Sequence, residues 1–386
     1  MTIEIQETTA EIFSCVCCES LRLDSLLENV KMRSSSINLS STYYEWHHKI
    51  KQCKDCGHIF NSTQPNDAFC KKYYSDKLPH RYEDYSNEKR ISFIKQFVKQ
   101  SDLKILDYGS NAHLPFHDRM AYDLNADVKL YDIKSELSIK PDYGNWKPSL
   151  VSSYFCLEHL TVTGLKEFLT MATRVLVNEG YLLIEVPCLL EYFCNNSGIM
   201  HEHQQHFTPY SLNKLVSSYG FTLVAYSYDH CSREFGFSSV FVKTDKAVPM
   251  SLARERLVVS SQSFLKGYEN YLGTDEYARR IAGRIATKQP AQIYIWGIND
   301  NYLHLKRYLK LKTRAIDSDK LKFQYVANDD TSTTVEEFKK SLSSCDNSQI
   351  CLVVTATSHF AAILSEIEDL PNSSSLDIVL YDPTSK

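Results

Sequence analysis

Residues 104–111 read Lys-Ile-Leu-Asp-Tyr-Gly-Ser-Asn, a short apolar run (Ile105, Leu106) that ends in Asp107 and turns through Gly109, Ser110 and Asn111. A buried parallel strand ends this way where its carboxyl terminus opens onto a small-molecule site. Glycine lets the backbone approach a ligand closely, and Ser or Asn can bond neighbouring backbone or tolerate unusual dihedrals. In open α/β sheets the ligand crevice lies just beyond such strand ends. The second glycine of a dinucleotide G-x-G-x-x-G loop is missing, and His113 stands two places after Asn111. The stretch therefore predicts a cofactor loop of another kind at the end of a parallel strand.

The residues that follow keep to that architecture. From about residue 100 strands and helices alternate, the pattern of a parallel sheet covered by helices. A second strand over 128–132 ends in another acid, Asp132, 25 residues after Asp107, near the usual place for a carboxylate that holds ribose hydroxyls. A third, over 149–155, leads into Phe155-Cys156-Leu157-Glu158-His159. A helix over 163–177 stops at Asn178-Glu179-Gly180, and a strand over 181–186 stops at Pro187. Then come His201-Glu202-His203-Gln204-Gln205-His206, a helix over 211–219 closed by Gly220, and strands over 221–226 and 238–243.

The chain ahead of this region is defined by cysteines. Cys15-Val16-Cys17-Cys18 and Cys53-Lys54-Asp55-Cys56 form two C-x-x-C pairs with 34 residues between them. Each pair suits a tight knuckle, with Gly57 as its left-handed residue, and four thiolates complete a closed tetrahedral zinc site. Cys17, inside the first pair, is an alternative to Cys15 or Cys18. A tyrosine-dense segment over 71–90 follows, either a solvated linker or a lid that folds Tyr73, Tyr74, Tyr82 or Tyr85 over the site. After about residue 250 come a long charged helical region and a second strand–helix series, over 293–299, 323–327, 350–356 and 377–381. The first of these strands ends in Gly297-Ile298-Asn299, and the Gly297 turn reads as a nucleotide site or, having only one glycine, rather as scaffold.

At 386 residues the chain exceeds one ordinary core. Three parts are expected: 1–75, 76–248 and 249–386. A net charge of −4 and a pI of about 6.4 argue against a nucleic-acid surface. No basic-plus-apolar leader opens the chain and no apolar run reaches membrane-spanning length, so a reducing cytoplasm is the expected compartment. There, twelve cysteines read as free thiols or metal ligands.

Taken together, the strand ending in Asp-x-Gly, the second strand with its acid, Leu-Glu-His after the third, and Gly-Tyr-Leu-Leu-Ile-Glu-Val-Pro (180–187) resemble the class I S-adenosylmethionine-dependent methyltransferases. Leu-Asp-Tyr-Gly-Ser-Asn, the Cys-x-x-Cys-Gly-His at 53–58 and the His-Glu-His at 201–203 resemble, more narrowly, the zinc-binding C-methyltransferases of nucleotide-linked deoxysugars. That resemblance implies a Rossmann-like methyltransferase core, an N-terminal zinc module held by Cys15, Cys18, Cys53 and Cys56, and a C-terminal Rossmann-like α/β domain. It implies a cofactor site of Asp107, Gly109, Ser110, Asn111, Asp132, Phe155 and Glu158, and acid–base work on a small-molecule acceptor by Glu202 and His203, with His201 and Tyr82. A base is what carbon methylation needs, because a proton beside a ketone must leave first. Histidine titrates near working pH, and an adjacent carboxylate can orient it. The chain departs from the pattern at Met200, where a tyrosine precedes His-Glu-His, and at His113, where a glycine is expected. These departures fit a divergent substrate, with an oxygen or nitrogen acceptor rather than carbon. Three other readings compete: an RNA methyltransferase docking through the zinc module, a non-catalytic binding module on the same fold, and a metal-ligand or purely structural role for His201, Glu202, His203 and His206. Oligomeric state is left open.

Overall fold

The computed structural model describes residues 2–4, 9–33, 43–75, 87–99, 102–110, 115–132, 146–193, 198–244, 257–288 and 292–296, and beyond these residues 305, 308, 322–326, 337–338, 340, 350–354 and 377–380. Asn111, His113, Tyr82, Tyr85, Gly297 and Asn299, each singled out above, lie outside the described residues. Chain contacts divide the protein into two compact units, 1–268 and 269–386.

The N-terminal part of the first unit is built on strands that the cysteine pattern does not foretell. β1 (Thr2–Glu4) and β2 (Thr9–Glu11) precede two 11-residue strands, β3 (Leu23–Arg33) and β4 (Tyr43–Cys53), which pair antiparallel. β5 (Ile59–Asn61) continues the sheet, β6 (Thr63–Pro65) pairs with β2, and α1 (Asp67–Ser75) follows. Gly57, at φ +80°, supplies the left-handed residue of the second knuckle, and its N–H donates to the Cys53 carbonyl at 2.9 Å.

The core follows as α2 (Asn87–Phe97), β7 (Lys104–Tyr108), α3 (Pro115–Asp123), β8 (Asp127–Tyr131), β9 (Leu150–Tyr154), α4 (Val162–Val175), β10 (Tyr181–Pro187), β11 (Gln205–His206), α5 (Pro209–Ser217), β12 (Phe221–Ser227) and β13 (Gly236–Lys243). Helix α4 buries Leu165, Phe168, Leu169, Ala172 and Val175, a single stripe at three- and four-residue spacing. Thr161 caps it by accepting from the Gly164 N–H, and Thr208 caps α5 in a capping box with Ser211, with Pro209 at the first helical position. The helix expected to run to 177 ends at Val175, where Leu176 turns extended, and the Asn178-Glu179-Gly180 turn follows it. Glu179 takes the left-handed conformation (φ 58°), and Gly180 hydrogen-bonds back to Val177.

Six strands form the core sheet in the order β12-β13-β10-β9-β7-β8. β8, β7, β9 and β10 are parallel, and β13 is antiparallel to both of its neighbours. β7 connects outward to β8, whereas β9 connects the other way to β10, so the order reverses between β7 and β9. That is where an open α/β sheet leaves its ligand crevice.

The N-terminal sheet and the core are not separate bodies. β11, from the His-Glu-His region, pairs antiparallel with β5, placing Gln205 opposite Phe60 and His206 opposite Ile59. One apolar cluster holds Cys15, Val16, Cys53, Cys56 and Phe60 together with Leu106, Val151, Phe207 and Leu212.

A 32-residue helix, α6 (Leu257–Lys288), begins in the first unit and continues into the second. The second unit carries a four-stranded parallel sheet, ordered β15 (Lys322–Val326), β14 (Gln292–Trp296), β16 (Ile350–Val354), β17 (Asp377–Leu380). Its central strands bury Ile293, Tyr294, Ile295 and the whole of β16. Among the described residues no helix is long and apolar enough to cross a membrane.

Candidate functional site

At the reversal point the loop after β7 is pressed against the turn after β9. Gly109 sits at φ +81° and donates to the Tyr131 carbonyl at 2.8 Å. A methyl group there would run into both Sγ and Cβ of Cys156. Only glycine meets the dihedral and the close approach together. Phe155 also lies in the left-handed region (φ 49°), a costly conformation for an aromatic residue, with the Arg233 guanidinium 4.5 Å over its ring. Asp107 is buried with both carboxylate oxygens engaged. Ser152 donates to Oδ1 at 2.7 Å, and His117 Nε2 lies 2.9 Å from Oδ2. Its carboxylate thus ties β9 and α3 to the end of β7. Ser110 and Asp132 complete the described rim, Asp132 buried immediately after β8.

A second group of polar side chains closes over the turn after β9. Glu158 is 1% exposed, and its Oε2 has no hydrogen-bond partner among the described residues. Burial pushes its carboxyl up to about 8. The Gln204 N–H donates to the Glu158 carbonyl at 2.7 Å, and the Asn61 N–H donates to the Gln204 carbonyl at 3.0 Å. The His-Glu-His segment is thereby stitched between the core and the N-terminal sheet. His203 packs edge-on against His159 with ring centres 4.7 Å apart. Its Nδ1 donates to the Gly198 carbonyl at 2.9 Å, which assigns the ring proton to Nδ1.

Glu202 is reached from the N-terminal region, where Tyr73 of α1 donates its hydroxyl to Oε1 at 2.7 Å. His201 lies between the rings of Tyr73 (5.9 Å) and His48 (5.5 Å). Behind this layer, burial holds His206 well below the usual histidine range, so it is neutral, with Tyr192 Oη 3.1 Å from Nδ1. His206 belongs to the packing of β11. The structure gathers Glu202, His203 and Glu158 around one turn and adds Tyr73 and His159. His159 was legible as the last residue of Leu-Glu-His but carried no assigned role, and Tyr73 stood among four lid candidates. Where Met200 replaces an expected tyrosine, Tyr73 brings a phenol to the same carboxylate from another element.

The two cysteine pairs meet. Cys15 and Cys56 sulfurs are 3.5 Å apart, as are those of Cys18 and Cys53, and all four lie within 4.8 Å of one another. Sulfurs about 2.3 Å from a tetrahedral zinc stand ~3.8 Å apart, so the set fits that ion. Cys17 is buried outside this set of four. Neighbouring thiols, Cys17 first, push the Cys15 thiol up, while the Cys15 thiol foremost pulls Cys56 down.

A parallel sheet whose order reverses at a glycine loop, with an antiparallel strand inserted near one edge, defines a class I S-adenosylmethionine-dependent methyltransferase core. A family model described as a methyltransferase domain matches residues 77–226. The protein thus carries a methyltransferase domain and is an enzyme of that class. Solved structures similar in part include an S-adenosylmethionine-dependent methyltransferase from Clostridium acetobutylicum (9% identity, 42% of this chain and 93% of that one, TM-score 0.33). The 1,6-didemethyltoxoflavin-N1-methyltransferase of Burkholderia thailandensis is another (12%, 50% and 98%, TM-score 0.35). A third is the N-methyltransferase NodS of Bradyrhizobium japonicum (12%, 42% and 99%, TM-score 0.30). Among the curated proteins none matches.

Proposed function

We propose that the enzyme methylates a small-molecule acceptor, a nucleotide-linked sugar, with Glu202 and His203 handling the acceptor's proton. The observation that carries this reading is the bond from Tyr73 Oη to Glu202 (2.7 Å), made directly beside His203 and the turn that follows β9. Bound at the ends of β7 and β8, S-adenosylmethionine would supply an electrophilic methyl group on a sulfonium. Gly109 and Ser110 would cradle it, with Asn111 continuing the loop, Asp132 holding its ribose, and Phe155 and Glu158 flanking it. The protein's own work is then to place the acceptor and remove one proton. Tyr73 holds the Glu202 carboxylate by a charge-assisted hydrogen bond, and fixing a base in this way contributes to rate. His203, with its proton on Nδ1, offers Nε2 as the basic nitrogen. His201 would complete the acceptor side of the site, and Tyr82, outside the described residues, is proposed to act with it. Cys15, Cys18, Cys53 and Cys56 would hold one structural zinc ion, stapling the knuckles beneath the β5–β11 junction. The layout is then a zinc module over 1–75, a methyltransferase core over 76–248, and a C-terminal α/β domain over 249–386.

The test is proton exchange. A nucleotide-linked keto-sugar incubated with the full chain in D2O, without S-adenosylmethionine, should take up deuterium beside the ketone. Adding S-adenosylmethionine should convert it to the C-methyl product, and Glu202→Gln should abolish both. Turnover of an oxygen or nitrogen acceptor with no exchange would overturn the carbon chemistry. Salt-sensitive methylation of RNA would overturn the acceptor class.

A further inference from the structure

We infer that Glu158, His159 and His203 form an open site for one divalent transition-metal ion, separate from the four-cysteine cluster. A carboxylate oxygen and one nitrogen from each ring lie within 4.8 Å of one another, and Glu158 Oε1 is 3.8 Å from His159 Nε2. Two ligand atoms each ~2.0–2.2 Å from one ion stand up to about 4 Å apart, so small side-chain rotations close the set. Glu158 is a buried acid whose Oε2 has no hydrogen-bond partner among the described residues. Such a group demands either a proton or a cation. His203 is already arranged as metal-bound histidines are. Its Nδ1–H is spent on the Gly198 carbonyl at 2.9 Å, which fixes the ring and directs the lone pair to Nε2. The backbone on both sides is pinned as well, because the Gln204 N–H bonds the Glu158 carbonyl.

The donor set is two imidazoles and one carboxylate, which suits Zn, Fe(II), Co or Mn, whereas four thiolates select zinc. Four thiolates also make a closed structural site, whereas three protein ligands leave coordination positions for water or an acceptor oxygen. The ligand class that follows is a hydroxyl or keto oxygen of the acceptor, polarised by the ion. With the ion bound, His203 Nε2 is a ligand and no longer a base, and Glu202 alone takes the acceptor's proton; the inference stands on the geometry of the three side chains and does not require the acceptor to be a sugar.

Cobalt separates the two sites. Full-length protein carrying zinc in its cysteine cluster is titrated with Co2+ and followed by visible absorption and elemental analysis. One equivalent of Co2+ should bind with ligand-field bands and no thiolate charge-transfer band, while the zinc content stays constant. Glu158→Gln and His203→Gln should each weaken binding by about 100-fold or more, beyond the 10–100-fold carried by outer-shell partners. His159→Gln, a change at a half-buried residue, gives the same test should either buried substitution fail to fold. Cobalt entering only with thiolate charge transfer and loss of zinc would overturn the proposal, as would affinity unchanged in the folded variants. These readouts involve no methyl transfer, so they can fail or succeed independently of the acceptor assignment.

Discussion

Two buried glutamates stand side by side at the carboxyl end of the core sheet, and they are treated in opposite ways. Glu185 of β10 is fully buried, and both its oxygens are occupied. Arg90 of α2 donates from Nε at 3.1 Å and Nη2 at 2.7 Å, Ser238 donates at 2.9 Å, and Ser232 adds its hydroxyl and its N–H. The Arg90 guanidinium also lies on the Tyr154 ring at 4.3 Å. Glu158, one strand away, is equally buried, but its Oε2 has no hydrogen-bond partner among the described residues and its Oε1 lies 3.8 Å from His159 Nε2. A paired carboxylate clamps one element to another; an under-paired one is held ready for a ligand. The first ties α2, the helix that precedes β7, onto the sheet. The second sits where the substrate chemistry is expected.

The largest effect should come from breaking the clamp. Arg90→Ala leaves Glu185 buried without its cation, and losing one partner of a buried pair costs about 3–5 kcal/mol. Denaturant unfolding should show that loss, whereas Glu158→Gln should change stability by less than ~1 kcal/mol. A loss of under ~1 kcal/mol in Arg90→Ala would mean that the two carboxylates do not differ as described. On the catalytic side, Glu202→Gln should lower turnover by about 100-fold or more at unchanged stability, the range of a lost acid–base group. Tyr73→Phe, which keeps the carboxylate but removes its donor, should cost about tenfold through a lost hydrogen bond to a charged group. Equal losses in the two variants would show that Tyr73 carries the proton itself.

A smaller change probes the loop after β7 that is proposed to cradle the cofactor. Gly109→Ala imposes about 1–2 kcal/mol from the left-handed dihedral and adds the collision with Cys156. Calorimetric titration with S-adenosylhomocysteine should show at least tenfold weaker binding. Cys156→Ala in the same background should recover only part of it, because the dihedral remains strained. Full recovery would assign the whole effect to the collision.

These contrasts show why some of the site could be read from the chain and some could not. Local grammar announces the loop after β7: an apolar run, an acid and a glycine are close in sequence and each has one physical role. The thiolate pairs are legible for the same reason, since each knuckle is four residues long. The start of α5 was less legible: the helix expected over 211–219 begins at Pro209, behind the Thr208 cap. What was hidden depends on long-range packing. β3 and β4 lack a clean alternation of apolar and polar residues and pair through two register shifts. β11 is two residues long and exists because β5 is beside it. Tyr73 meets Glu202 across 129 residues of chain, so a tyrosine-dense segment could offer four candidates but not choose among them. Glu158 reads as one more acid after a strand; only the fold shows that it lacks the partners Glu185 has.

The mildest test extends the comparison to a base. His206 is fully buried, its Nε2 has no hydrogen-bond partner among the described residues, and burial first, then His203, His58 and His48, hold it far below the ordinary histidine range. Above pH ~6.5 the ring is neutral in both the folded and the unfolded chain, and it adds no pH dependence. As pH falls below that value the unfolded chain takes up a proton that the folded chain refuses. Stability should therefore fall by up to about 1.4 kcal/mol per pH unit on account of this ring. His206→Asn keeps a polar partner for Tyr192 and removes the titration, so its denaturant midpoint should decline less steeply between pH 6.5 and 5. Parallel declines in the two proteins would show that His206 accepts its proton in the folded state, and that a group without a counter-charge here is not held neutral by burial alone.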